Sequence, residues 1–235
     1  SPRCDWRTGR SSKCVARRHV EVNEPPLTVD WSRYSSRALP TYRFLPGLTP
    51  HPRRDPLGHS FAEPEPRPRP FAQHQWPDSE DYLYAVDLYN FGYWWESHEV
   101  LEGLWHACGR RTTAGNYFQA LIQFAAAHLK RALGNEVAAH NLAHSGLLRL
   151  QNSPASYMGL DTVTFAHDIT SWMGDNSRPG VRIRLESCGN GPSVNKAPLS
   201  NPSLLVGSGT PSMVQARSAD KSEVRSKQHR RCWQR

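Results

Sequence analysis

The chain has 235 residues, 29 Lys/Arg against 21 Asp/Glu, and a formal net charge of +8. With 37% hydrophobic residues, 19 prolines and 16 glycines unevenly spread, it cannot bury itself around one continuous core; one domain with long arms fits better. Charge is segregated too: residues 1–75 carry +6, 76–173 carry −5 and 174–235 carry +7, so the apolar centre is acidic. That excludes a nucleic-acid-binding core and leaves only the basic arms for such a partner.

In chain order, residues 1–39 are polar and basic without sustained periodicity, which predicts a disordered arm. Residues 40–77 hold ten prolines, which remove backbone donors and favour an extended chain. Tyr42, Phe44 and Leu45 are apolar without an obvious local role, and predict an arm lying against the domain. The domain itself is expected over 76–173. A helix begins at Asp78 or Ser79 with acidic residues in its first turn, and Gly92 stops or bends it. A second helix spans Tyr93–Cys108, a third about Ala114–Leu133 with Gly134-Asn135 as its stop, and a fourth about Glu136–Gln151. Leu160–Met173 reads as a shorter fifth. No segment shows sustained strand alternation. The expected fold is therefore all-α, a compact multi-helical bundle or array of antiparallel hairpins. From residue 174 onward Ser, Gly, Pro, Asn and Arg dominate, and this tail is expected to be disordered.

The cysteines, at 4, 14, 108, 188 and 232, are odd in number and form no Cys-x-x-Cys pair, so neither a disulfide framework nor a zinc ribbon is indicated. No stretch has the length of a membrane span, and the basic start lacks the apolar region of a signal peptide. These features together predict a cytoplasmic setting and no membrane partner.

The chemistry concentrates in the second helix, whose sequence is YWWESHEVLEGLWHAC. At 100° per residue, Trp94, Leu101, Leu104 and Trp105 share a core-facing arc. Beside that arc lie His98, with Glu102 about 40°, Trp95 about 60° and Glu99 about 100° further round. Glu96, at about 160°, points away. A His/Glu pair one turn apart on the edge of a buried face admits three readings: metal ligands, a general acid/base pair, or a hydrogen-bonded pair that fixes helix register. The metal reading takes His98 and Glu102 as ligands of a divalent transition metal, with His128 from the third helix as the best outside ligand. Catalytic candidates are Glu102 and Glu99; binding candidates are Trp95, Trp105 and Gln123, the last expected to hydrogen-bond across a helix pair. The zincin pattern is absent, because the fifth residue of the run from His98 is Glu102 rather than a second histidine. The Glu-x-x-His pair of di-iron bundles is absent as well.

The blocks FGYWWESHEVLEGLWHACG and YFQALIQFAAAHLKRALGN resemble the bacterial and archaeal family called domain of unknown function 309. Its His-x-x-x-Glu-x-x-Trp motif corresponds to His98, Glu102 and Trp105, and its Leu-Ile-Gln helix ending in Gly-Asn corresponds to Leu121-Ile122-Gln123 and Gly134-Asn135. The resemblance covers about residues 80–152 and implies a helical bundle that binds metal, without naming a reaction. Two functions follow as expectations. One is a metal- or small-ligand-binding domain, hydrolytic in its strongest form, acting through His98 and Glu102. The alternative is a helical interaction module that presents Trp94, Trp95 and Trp105 to a protein partner.

Overall fold

A computed structural model describes residues 31–186 except Pro66 and Pro179. Of the disorder expected over 1–39 and 174–235, the parts 1–30 and 187–235 fall outside the described residues, while 31–39 and 174–186 are described and pack against the body. Five helices make up the body: α1 (Glu80–Asn90), α2 (Trp94–Cys108), α3 (Thr113–Ala132), α4 (Glu136–Leu150) and α5 (Thr162–Gly174). The all-α expectation holds, and each helix lies within two residues of its expected bounds. A 3-10 turn (Gln73–Asp78) leads into α1. The described residues also include a hairpin of two-residue strands, β1 (Ser156–Tyr157) and β2 (Leu160–Asp161). It turns through Met158 and Gly159, both at positive φ, which is the backbone of a tight two-residue hairpin. The residues expected to open α5 are thus drawn into pairing first.

The boundaries follow from local chemistry. Ser79, Thr112, Asn135 and Asp161 each accept a backbone N–H from the first turn of the helix they cap. At the end of α3 the chain passes through Gly134 at φ 78°, and Asn135 N–H returns to the Lys130 carbonyl at 2.9 Å. α3 is the central element, packed between α2 and α4, with α1 against α2 and α5 against α4. A Cβ on Gly146 of α4 would stand 2.5 Å from the Phe124 ring, so that crossing depends on the glycine. Leu101, Leu104, Leu121, Phe124 and Tyr82 are among the fully covered side chains at the centre.

The body also has coverings from both flanks. Residues 31–65 run along α1 and α2. Asp87 of α1, fully buried, accepts the Tyr34 and Ser35 N–H groups at 2.9 Å each and pairs with Arg33 Nε at 3.3 Å. Phe44 and Leu45 are buried, in line with the arm expected from their apolar character. Beyond α5, packed structure runs on past Met173, the expected edge of the domain. Ile183 is fully buried and Leu185 nearly so. Asn90 donates to the Ile183 carbonyl at 2.8 Å and accepts its N–H at 2.7 Å, while Leu185 bridges to Leu160. Composition averaged over the tail hides the three apolar residues Val181, Ile183 and Leu185, which alternate with arginines as a half-buried strand does.

Candidate functional site

α2 forms because Gly92, at φ 82°, ends α1 and turns the chain, and Gly109, at φ 89°, lets it leave at the far end. Between them, Leu101 and Leu104 are pressed into the core with Trp94 and Trp105. That fixes the rotation of the helix and so the position of every polar side chain on it. His98 lies at the margin of this face and is 4% exposed. Glu99 and Glu102, one step and one turn away, are each about one quarter exposed, with side-chain values of 24% and 23%.

These three side chains converge. His98, Glu99 and Glu102 offer one ligand atom each, all within 4.8 Å of one another. His98 Nδ1 is 3.5 Å from Glu99 Oε1, and Glu102 Oε1 is 3.6 Å from His106 Nε2. The donor set is one imidazole nitrogen and two carboxylate oxygens, a mixed nitrogen/oxygen set that suits a first-row divalent ion. The histidine is anchored by burial, and both carboxylates reach solvent, so a bound ion would keep an open side. Among the described residues this is the one grouping of three or more such side chains close enough to share an ion.

His128 does not join them. It lies in an apolar box between Tyr89, Trp94 and Trp172, stacked on the Trp172 indole at 4.3 Å. Nδ1 is 2.7 Å from the Phe124 carbonyl and must carry the proton, since a carbonyl only accepts. Nε2 then accepts the Val181 N–H at 3.0 Å. Burial lowers its pKa to about 4. With both nitrogens engaged by backbone, His128 is a structural histidine, and its expected place as an outside ligand is corrected. Its inward position on α3 was legible; the segment carrying Val181, which saturates it, was not.

The binding candidates also take other places. Trp94, Trp95 and Trp105 are 7%, 8% and 4% exposed, so they do not form the open surface that the interaction-module expectation required. Trp95 is covered by the chain's own arm, with the Phe44 and His51 rings 5.2 and 5.3 Å from its own. Trp105 faces the core, and the Arg110 guanidinium lies 4.6 Å above its ring. Gln123 is half-buried, and its Oε1 is buried without a hydrogen bond, so the expected cross-helix bond is not made by that atom.

The arm also changes the reading of Glu96. It does point away from the bundle, as the projection requires, yet it is only 5% exposed, because residues 42–60 cover it. Its Oε1 accepts the Phe44 N–H at 2.7 Å and contacts His59 Nε2 at 3.1 Å, while Oε2 is buried with no hydrogen bond. His59 Nδ1 is 3.0 Å from Ser60 Oγ. Arg53 Nε is 3.8 Å from Glu99 Oε2. Burial is the main cause lowering the pKa of His51, with Arg54 adding to it and Glu99 opposing it. His51, Arg53 and His59 were missed because only the apolar Tyr42, Phe44 and Leu45 of the proline-rich arm were read as touching the domain. The available signal was the run HPRRDPLGHS, which sets two histidines and three charged residues just after the apolar Phe44 and Leu45.

Along the ridge Glu96, Glu99 and Glu102, every carboxylate therefore meets an imidazole: His59 at 3.1 Å, His98 at 3.5 Å and His106 at 3.6 Å. No helix among the described residues is long and apolar enough to cross a membrane. Residues 82–142, from α1 into α4, match the family model described as Domain of unknown function (DUF309). That agrees with the resemblance read from the two sequence blocks, and the matched stretch contains His98, Glu99 and Glu102. No curated protein matches the chain.

Proposed function

From residues 82–142 as a DUF309 segment, we propose that this domain binds a divalent transition metal through His98, Glu99 and Glu102 and presents it to a small ligand. The observation that carries the reading is their convergence, with ligand atoms within 4.8 Å of one another. It replaces the expected set of His98, Glu102 and His128: Glu99 takes the third position.

The residues suit such an ion in two respects. His98 is anchored by its burial, which favours a defined geometry. Two carboxylates supply charge and remain accessible to solvent. When bound, the ion would supply Lewis-acid polarisation and a lowered pKa for coordinated water, the chemistry of hydrolysis. The chain's own part is to orient the ligands and to cover the Trp95 and Trp105 side of the ridge with buried side chains.

Protein purified without chelators or a metal-affinity tag is analysed for metal, then stripped and titrated calorimetrically with Zn2+, Mn2+ and Co2+. Binding of about one ion per chain that is lost in His98→Ala and kept in His128→Gln supports the assignment. No stoichiometric metal in the purified protein, together with uptake that His98→Ala leaves unchanged, refutes it.

A further inference from the structure

The arm brings one group to the α2 ridge that the metal assignment leaves unexplained. Arg53 Nη1 donates to the carbonyls of Glu63 and Pro64, 3.0 Å each, and the Arg53 N–H donates to His51 Nδ1 at 3.2 Å. Both the backbone and the guanidinium are therefore set by the arm itself. The Arg53 side chain is 18% exposed, and its Nε is buried with no hydrogen bond, 3.8 Å from Glu99 Oε2. An arginine needed only to neutralise Glu99 would close to hydrogen-bond distance and present two N–H groups to the carboxylate. Arg53 instead stands off, held by backbone carbonyls, with one edge toward the cluster.

Charge gives that stand-off a consequence. Glu99 faces Arg53, and Glu96 lies within the electrostatic reach of Arg43. A divalent ion on the ridge adds two positive charges beside Arg53. If Glu99 turns its oxygens to the ion, Arg53 keeps its place, because the arm holds it, and loses its nearest counter-charge. A group that accepts from a planar guanidinium while its other oxygen faces a metal is an oxyanion.

We propose that Arg53 is the anion-binding residue of this site and that the small ligand is an oxyanion, a phosphate or carboxylate compound bridging Arg53 and the metal. This rests on the metal reading above and deepens it. The arm is then part of the site rather than a spacer, and Arg53 determines which ligands enter.

The test uses the full chain, loaded with Mn2+ and titrated with inorganic phosphate in one arm and acetate in the other. Phosphate is expected to bind the loaded protein at least tenfold more tightly than the metal-free protein. In Arg53→Met the phosphate affinity falls at least tenfold while Mn2+ binds as tightly as before or more so. Arg53→Lys, which keeps the charge without the fork, falls between them. Tighter binding of acetate than of phosphate assigns the ligand to the carboxylates. The part of the tryptophan emission that Trp95→Phe removes, from a ring beneath the arm, reports whether a variant keeps the arm docked; if Arg53→Met releases it, Arg53→Lys decides. Phosphate and acetate affinities that are the same in wild type and in the docked variants overturn the role of Arg53 while leaving the metal site standing. A wild-type chain that takes up no Mn2+ overturns the metal reading, and this one with it.

Discussion

His98 and His128 are equally hidden, at 4% and 2% exposure, but their surroundings are opposite. His128 is walled by Tyr89, Trp94 and Trp172, and backbone groups take both of its nitrogens. His98 has Glu99 beside it and Glu102 one turn on, both partly open to water. Burial alone therefore does not separate a ligand from a structural histidine. The chemistry of the nearest neighbours does: closed backbone pairing at one, a charged and reachable border at the other.

The largest expected effect lies on the structural side. His128→Ala leaves the Val181 N–H without its partner beside a new cavity walled by Tyr89, Trp94 and Trp172, and should cost about 3–5 kcal/mol. Urea unfolding measures it, and Mn2+ affinity of the folded fraction should not change. A loss of metal affinity with unchanged stability would erase the contrast.

The next effect is on pH dependence. His128 is held neutral in the folded chain, with a pKa of about 4 against 6.5 unperturbed. Above about pH 6.5 its contribution is fully present; as pH falls toward 4 the unfolded chain takes up a proton that the folded chain refuses, and stability drops by about 3 kcal/mol. In His128→Gln that part of the acid dependence should disappear, as read from denaturation midpoints between pH 4 and 7.

On the metal side the effects are smaller in energy and different in kind. His98→Ala should weaken Zn2+ or Mn2+ binding at least tenfold, about 1.4 kcal/mol, while changing the urea midpoint less than His128→Ala does. Glu102→Gln keeps shape and removes charge; a several-fold loss of affinity is expected, and no change in calorimetric titration would remove Glu102 from the ligand set. Smallest of all, His106→Ala should change metal affinity less than twofold, since His106 is exposed and 3.6 Å from Glu102.

The helices were legible because their signals are local. Ser79, Thr112, Asn135 and Asp161 sit where caps belong, and Gly92, Gly109 and Gly134 mark the turns. His98 and Glu102 were legible as neighbours because one helix carries both. Glu99 was placed at the edge of the site by the same projection, though not as the third ligand. What one helix cannot show is what covers its far side. Glu96 looked solvent-facing until residues 42–60 were laid over it, and His128 looked available until Val181 reached it. Both coverings come from segments distant in sequence whose proline, arginine and serine content masks a few well-placed apolar residues.

Asn90 uses its one amide to copy a rung of a β-ladder with Ile183, across 93 positions of chain. Nearby, Tyr34 Oη accepts the Leu185 N–H at 3.0 Å, and the Arg182 guanidinium lies 4.9 Å from the Trp31 ring centroid. The described chain thus enters and leaves at one place on α1, like the two ends of a belt meeting at a buckle. The stretch 82–142 that matches the family model holds only one half of that clasp. A fragment cut at Met173 would leave the Asn90 amide with neither partner. A circular permutant joining residue 186 to residue 31, opened in the turn at Gln151–Ser153, would keep the clasp and should fold.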